Sequence, residues 1–324
     1  MRLTKSSAWT ACRDHVPGVY TRSAMIPIIV TVFAGVLGLA FGSFLNICAT
    51  RWPEEEGIVK GRSHCRSCGR TLAWWENIPL LSWLALRGHC RTCRASIGWR
   101  YPLVELAVGG LWAFSTWHTF LEAPALSTGN FTYDAAVCLA NGIARIIFLW
   151  ILVALAVMDA ENLWLPDRLT IPGIALGFAL AFARGGLCAS MAFGGGFDEW
   201  RHYVALWEFY WFIGAVASAG GVLVIRWVYI MIRGQEGIGM GDAKLVAMIG
   251  GWLGVHCAVL AFGIAVILGA LFALVILVLP SARASNKPWR LKKLPFGTFL
   301  CIGAAVSAFW GVPLVAAYLS WAGF

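Results

Sequence analysis

Met240-Gly-Asp-Ala-Lys-Leu-Val-Ala-Met-Ile-Gly-Gly-Trp-Leu-Gly-Val-His-Cys-Ala-Val-Leu260 opens a run, 245–282, of 38 residues without one Asp, Glu, Lys or Arg. As a single helix that run would measure about 57 Å, nearly twice the hydrocarbon core of a bilayer. It therefore reads as two crossings, divided near Gly254–Cys257. Six more uncharged runs lie elsewhere, at 23–50, 106–121, 146–158, 169–183, 209–225 and 294–324. The fold class that follows is an all-α polytopic membrane protein of about eight transmembrane helices. Composition agrees. Only 13% of the 324 residues are charged and 60% are hydrophobic, against roughly 25% charged in soluble domains.

The net charge of +9 does not call for nucleic acid. Lys and Arg collect in the cytoplasmic loops of membrane proteins, and the 18 Trp fit the interfaces. The expected partner is membrane lipid, not nucleic acid. Residues 1–24 are polar and mildly basic. The apolar run after them is longer than a signal-peptide core and has no Ala-x-Ala-like cleavage site, so it reads as a span. Met1 and Met25 are both available as start codons.

The segment 51–101 is the one sizeable soluble stretch. It carries nine basic residues (Arg51, Lys60, Arg62, Arg66, Arg70, Arg87, Arg91, Arg94, Arg100) beside Glu54, Glu55, Glu56 and Glu76, which assigns it to the cytoplasm. Span parity then puts 122–134 outside, 159–168 inside, 184–203 outside, and 233–244 and 281–296 inside. The long, Gly-rich 184–203 reads as an outward loop. The basic N-terminal tail, placed outside, is the one disagreement with the charge rule.

Parity brings two acidic motifs to one face. Met158-Asp-Ala-Glu-Asn-Leu-Trp-Leu-Pro-Asp167 follows the third span, and Gly237-Ile-Gly-Met-Gly-Asp-Ala-Lys244 precedes the sixth. Two carboxylates forced together cannot both ionise easily. They share a proton, so that one can activate water while the other protonates an amide. Asp159 and Asp242 are the candidates for such a pair. The alternative is that each merely caps a helix at the membrane surface. Asp167, after Pro166 and before an apolar run, suits an N-cap, and Glu161 suits a solvated loop. Lys244 would tune local charge or anchor its helix.

Cys65-Arg-Ser-Cys68 and Cys90-Arg-Thr-Cys93 are two CxxC knuckles with 21 residues between them. Four thiolates so spaced suit a closed, structural zinc site. Disulfides are disfavoured in a reducing compartment; paired bridges or spectator thiols are the alternatives. The other six cysteines, among them Cys12 and Cys188, are isolated. Arg145 lies inside the third span, about 21 Å along a straight helix from Asp159 and so out of its reach. Snorkelling toward the outer face is the simplest reading.

Several short motifs then line up in order from about Gly42 to Gly311. They are Gly42-Ser-Phe-Leu-Asn46 with Arg51 and Pro53, the two CxxC pairs enclosing Glu76-Asn-Ile-Pro-Leu80, and Tyr101-Pro-Leu-Val-Glu105. After these come Asp159 with Leu165-Pro-Asp167, Gly239-Met-Gly-Asp242 with Lys244, and Pro295-Phe-Gly297. Together they resemble the type IV prepilin peptidases, bifunctional leader peptidases and N-methyltransferases of the GxGD type. The resemblance implies that Asp159 and Asp242 are catalytic, and that Cys65, Cys68, Cys90 and Cys93 form a cytoplasmic tetracysteine site holding structural zinc. It further implies removal of the basic leader of prepilins and pseudopilins at the cytoplasmic face of the bacterial inner membrane. The new N-terminal residue, usually Phe, would then be methylated from S-adenosyl-L-methionine for type IV pilus or type II secretion assembly. No residue is assigned to the methyl donor, and Thr50 departs from the family's usual His. The organisation expected is a tail at 1–25, a first transmembrane helix at 26–50, a zinc loop and methyltransferase region at 51–101, and a membrane aspartic peptidase domain at 102–324. The rival readings are a peptidase without methylation and a non-enzymatic scaffold or transporter with a zinc docking loop.

Overall fold

The computed structural model describes residues 25–54, 63–122, 131–192, 197–235, 237–278 and 294–323. The N-terminal tail with Cys12, the acids Glu55 and Glu56, Lys60 and Arg62, and the basic stretch from Arg283 to Lys293 lie outside the described residues. Among the described residues the chain is helical, apart from two isolated β-bridges and short turns.

Among the described residues a helix lies at each of the eight expected spans. These helices are α1 (Met25–Arg51), α3 (Arg100–Glu122), α4 (Phe131–Asn162), α5 (Asp167–Ala192), α6 (Phe197–Arg233), α7 (Met240–Leu253), α8 (Val255–Val278) and α9 (Phe296–Trp321); the short α2 is Leu81–Ala85. Six of them (α1, α4, α5, α6, α8 and α9) are long and apolar enough to cross a membrane. Helix α7 is the exception by length: its 14 residues reach only about 21 Å. The long apolar run divides at Gly254, as its length requires. Gly254 holds φ +84°, a left-handed conformation that glycine adopts without strain, so α7 ends there and α8 begins one residue later.

The expected outward loop 184–203 is largely helical. Helix α5 continues to Ala192 and α6 begins at Phe197, so the Gly-rich connection contracts to 193–196, which is outside the described residues. Gly185 does not break α5, because it faces Trp207 of α6: an added Cβ would sit 3.1 Å from the Trp207 Cβ. In lipid, small residues serve helix contact more than they break helices.

The chain forms two compact units, Met1–Trp150 and Ile151–Phe324, with the division inside α4. In the first, α1 and α3 pack backbone against backbone. A Cβ on Gly42 would come within 2.7 Å of the Glu105 Cα, so only glycine permits this approach. The opposite face of α1, with Ile29, Val32, Phe33 and Val36, is exposed, as a lipid-facing surface should be. In the second unit α7 is central, against α5, α6, α8 and α9. Its Leu245, Val246, Met248 and Ile249 are buried, and Trp252 Nε1 donates to the Gly173 carbonyl of α5 at 2.8 Å.

Arg145 is not a bare charge in the apolar layer. Its guanidinium bonds Glu122 Oε2 at 2.8 Å and His118 Nδ1 at 3.2 Å. Both partners lie in the last turns of α3.

Candidate active site and metal site

Asp159 lies in the last turn of α4 and is 6% exposed. Helix C-termini disfavour negative charge, so this placement needs a counterweight. The N-terminus of α9 supplies it. The amide of Thr298 donates to Asp159 Oδ2 at 2.7 Å, and the Thr298 hydroxyl lies 3.1 Å from the same oxygen. The Gly297 amide adds a further bond to this carboxylate. Glycine fits closely here: an added Cβ would stand 3.0 Å from both Cγ and Oδ2 of Asp159, which would have to give by a few tenths of an ångström. The motif Pro295-Phe-Gly297 therefore has a local reason: it starts a helix whose free amides face the acid.

Asp242 occupies the first turn of α7, and its Oδ2 accepts the Gly239 amide at 3.2 Å. The capping alternative is thus partly realised at Asp242, and not at all at Asp159. The two acids act on one another electrostatically, and the buried thiol of Cys301, one turn into α9, senses both. Leu165 helps to hold the assembly. It lies against Gly241 of α7 and Gly297 of α9, where added Cβ atoms would each come within 3.1 Å of its side chain.

The glycine-rich turn before Asp242 is tied to α6. Arg226 donates to the Ile238 carbonyl at 3.1 Å, and Gly237 sits flush against the Tyr229 ring. Arg226 stands seven residues before the α6 C-terminus at Arg233, a second cation, beside Arg145, set back inside a long helix. Asp167 is the first residue of α5, and its carboxylate receives Lys244 Nζ at 2.7 and 2.9 Å. The Pro166 carbonyl, not Asp167, accepts the first helical amides, those of Leu169 and Thr170. Sequence reasoning named Lys244 without its partner and Leu165 without a role, and missed Thr298 and Arg226 as parts of the site.

In the first unit the four cysteine sulfurs lie within 4.8 Å of one another, with Cys65 Sγ 3.8 Å from Cys93 Sγ. Tetrahedral zinc with bonds of about 2.3 Å sets its sulfurs roughly 3.8 Å apart, whereas a disulfide needs about 2.05 Å. The donor set fits zinc and not paired bridges. The two knuckles repeat one design. Bridges His64–Thr71 and His89–Ser96 close them, and backbone amides at the third and second positions onward face the first sulfur of each. Those of Cys68 and Ser67 lower the Cys65 thiol, and those of Cys93 and Thr92 bring Cys90 down to about 6. Cys65 and Cys90 are thus disposed to bind metal as thiolates, while Cys93, in spite of the Ala95 amide, is pushed up to about 11 by burial and the neighbouring sulfurs.

Neighbouring groups brace the knuckles. Arg70 bonds the buried Glu76 at 2.6 Å and also faces the Cys90 sulfur, and Glu76 accepts the Ala73 amide at 2.7 Å. The Glu76 carboxyl is held below the usual carboxylate range, first by Arg70. Three quoted motifs meet nearby. Asn46 Nδ2 donates to the Tyr101 carbonyl at 3.0 Å, and Glu105 accepts the Leu80 amide at 2.8 Å and the Ser43 hydroxyl. Leu80 has φ +58°, a conformation costly for leucine, and the buried Glu105 carboxylate holds it there.

Two family descriptions match the chain: the bacterial peptidase A24 N-terminal domain over residues 36–119, and the type IV leader peptidase family over residues 146–274. Among curated relatives, a prepilin leader peptidase/N-methyltransferase of Stutzerimonas stutzeri is 33% identical, covering 91% of this chain and 96% of its own. The protein of the same name from Pseudomonas aeruginosa is 32% identical over 92% and 96%. One from Burkholderia pseudomallei is 36% identical over 87% and 85%. No solved structure matches the chain. The chain belongs to the type IV leader peptidase family.

Proposed function

We propose that this membrane protein removes the leader from prepilins and pseudopilins, with Asp159 and Asp242 as its acid/base pair, and then methylates the freed N-terminus. The observation that carries the reading is that two acids from different helices are close enough to act on one another electrostatically, each held by amides at the start of a helix. One ionised carboxylate takes a proton from water as its oxygen attacks the scissile carbonyl. The other, protonated, gives its proton to the leaving nitrogen. The pair ends with one proton, as it began, and the products are a carboxyl-ended leader and a new amine.

S-adenosyl-L-methionine would supply the methyl group: the free α-amino nitrogen would take it with loss of one proton, as the S–CH3 bond breaks and S-adenosyl-L-homocysteine leaves. The first unit is the proposed seat of that step. Its buried Glu105 carboxylate and the unpartnered, buried Asn46 Oδ1 are acceptors of the kind that a sulfonium donor and an ammonium group require. Cys65, Cys68, Cys90 and Cys93 would hold zinc and fold a segment too short to build its own core. The basic balance of 51–101 supports a cytoplasmic location for that loop, and hence a multi-pass protein of the bacterial inner membrane serving pilus or type II secretion assembly. Transport across the bilayer is disfavoured, because Arg145 is engaged by Glu122 and His118.

The test is the purified protein in liposomes with a synthetic prepilin and S-adenosyl-L-methionine, read by intact mass. Leader loss plus one methyl is expected. Leader loss alone would remove the transferase, and an unchanged prepilin would remove the whole reading.

A further inference from the structure

The side chain of Thr298 is used in an unusual way. An early helical Thr ordinarily turns its hydroxyl back onto its own backbone. Here it leaves α9 and reaches α4, 3.0 Å from the Ala156 carbonyl and 3.1 Å from Asp159 Oδ2. A hydroxyl has one proton to give, so it is shared between an acceptor one turn upstream of the acid and the acid itself. The amide of the same residue bonds the same carboxylate oxygen at 2.7 Å. Both bonds fall on Oδ2.

We propose that Thr298 is a positioning residue for Asp159: it pins Oδ2 with its amide and hydroxyl, and so presents Oδ1 to water and the scissile bond. The proposal rests on the reading of Asp159 as one of the catalytic pair. A carboxylate in the last turn of a helix is otherwise free to rotate about its terminal torsion, which is broad. The Thr298 and Gly297 amides hold the carboxylate from the α9 backbone. The hydroxyl, itself tied to Ala156, adds a second constraint and ties the orientation of the acid to the packing of α4 against α9. A mere helix-to-helix tie would contribute to stability and leave turnover alone, whereas a positioning role affects turnover.

Three variants of the full chain in liposomes separate these roles. The substrate is a synthetic prepilin-type peptide with a basic leader ending in Gly, followed by Phe and an apolar segment. Thr298→Val keeps shape and amide and removes the hydroxyl. Its kcat should fall about tenfold or more, with KM within about twofold, because small misplacements of a catalytic group cost rate and not binding. Thr298→Ser should restore kcat to within about threefold of wild type and keep the wild-type thermal midpoint, whereas Thr298→Val should unfold slightly lower because the bond to α4 is lost. Asp159→Asn should abolish cleavage. A wild-type kcat in Thr298→Val while Asp159→Asn is dead overturns the positioning role alone. So does a loss in Thr298→Val that Ser fails to restore and that follows a lowered thermal midpoint. Cleavage by Asp159→Asn overturns the reading of Asp159 and the proposal with it.

Discussion

Adding one methyl group at Gly297 probes the acid site without touching either aspartate. The Cβ of Gly297→Ala would stand 3.0 Å from Asp159 Cγ and Oδ2 and 3.1 Å from Leu165 Cδ1. Ordinary contacts begin near 3.4 Å, so the carboxyl must give by about 0.4 Å and Leu165 by about 0.3 Å, in line with the cost of overpacking a filled site. Gly297 is the second residue of α9, and alanine is a better helix former than glycine by up to about 1 kcal/mol. The two effects pull in opposite directions on stability, which should change by less than about 1 kcal/mol. They do not cancel in catalysis. A displacement of about 0.4 Å in a group that must be placed to a fraction of an ångström should lower kcat for leader cleavage about tenfold. The assay is cleavage of a prepilin-type peptide in liposomes, beside thermal unfolding of the same preparation. A Gly297→Ala protein with wild-type kcat would refute the claim that Asp159 is held against the start of α9.

Other outcomes follow from the first unit. Purified protein should carry one zinc per chain, and Cys90→Ser should lose it together with protease resistance of the segment 63–100, as read by metal analysis and limited proteolysis. Removing the partner of Arg70 by Glu76→Ala should lower the thermal stability of that segment, since the Arg70 bond and the bond from the Ala73 amide are both lost. The Glu76 carboxyl is lowered by Arg70, so its contribution is full above the ordinary carboxylate range. It is lost as pH falls through the lowered value, so the gap between Glu76→Ala and wild type should close on acidification. Arg94 holds φ +57°, where the first knuckle has Gly69 at φ +70°. Arg94→Gly should therefore stabilise the second knuckle by up to about 1 kcal/mol, measured as slower zinc loss to a chelator.

Much of this architecture was legible in the residues because bilayer thickness is a strict ruler. The 38-residue run had to divide, and it does so at the one glycine that takes a positive φ there. The acids and cysteines were legible because their spacing carries chemistry. The Gly-rich stretch 184–203 was misread as a loop, since Gly185 is a contact surface for Trp207 within a continuing helix. Arg226 was passed over because it follows an uncharged run whose helix goes on for seven more residues. Thr298 left only an indirect trace. Pro295 marks a helix start, and helix starts bind anions, but nothing in the local pattern says that the anion is Asp159, 139 residues earlier.

Paired catalysis by Asp159 and Asp242 is tested most directly by the intact mass of a prepilin co-expressed with wild type, Asp159→Asn or Asp242→Asn, each confirmed in the membrane fraction at equal level. Leader removal by wild type and full retention of the leader with either variant is the expected result. Leader removal that persists with either single variant would contradict it.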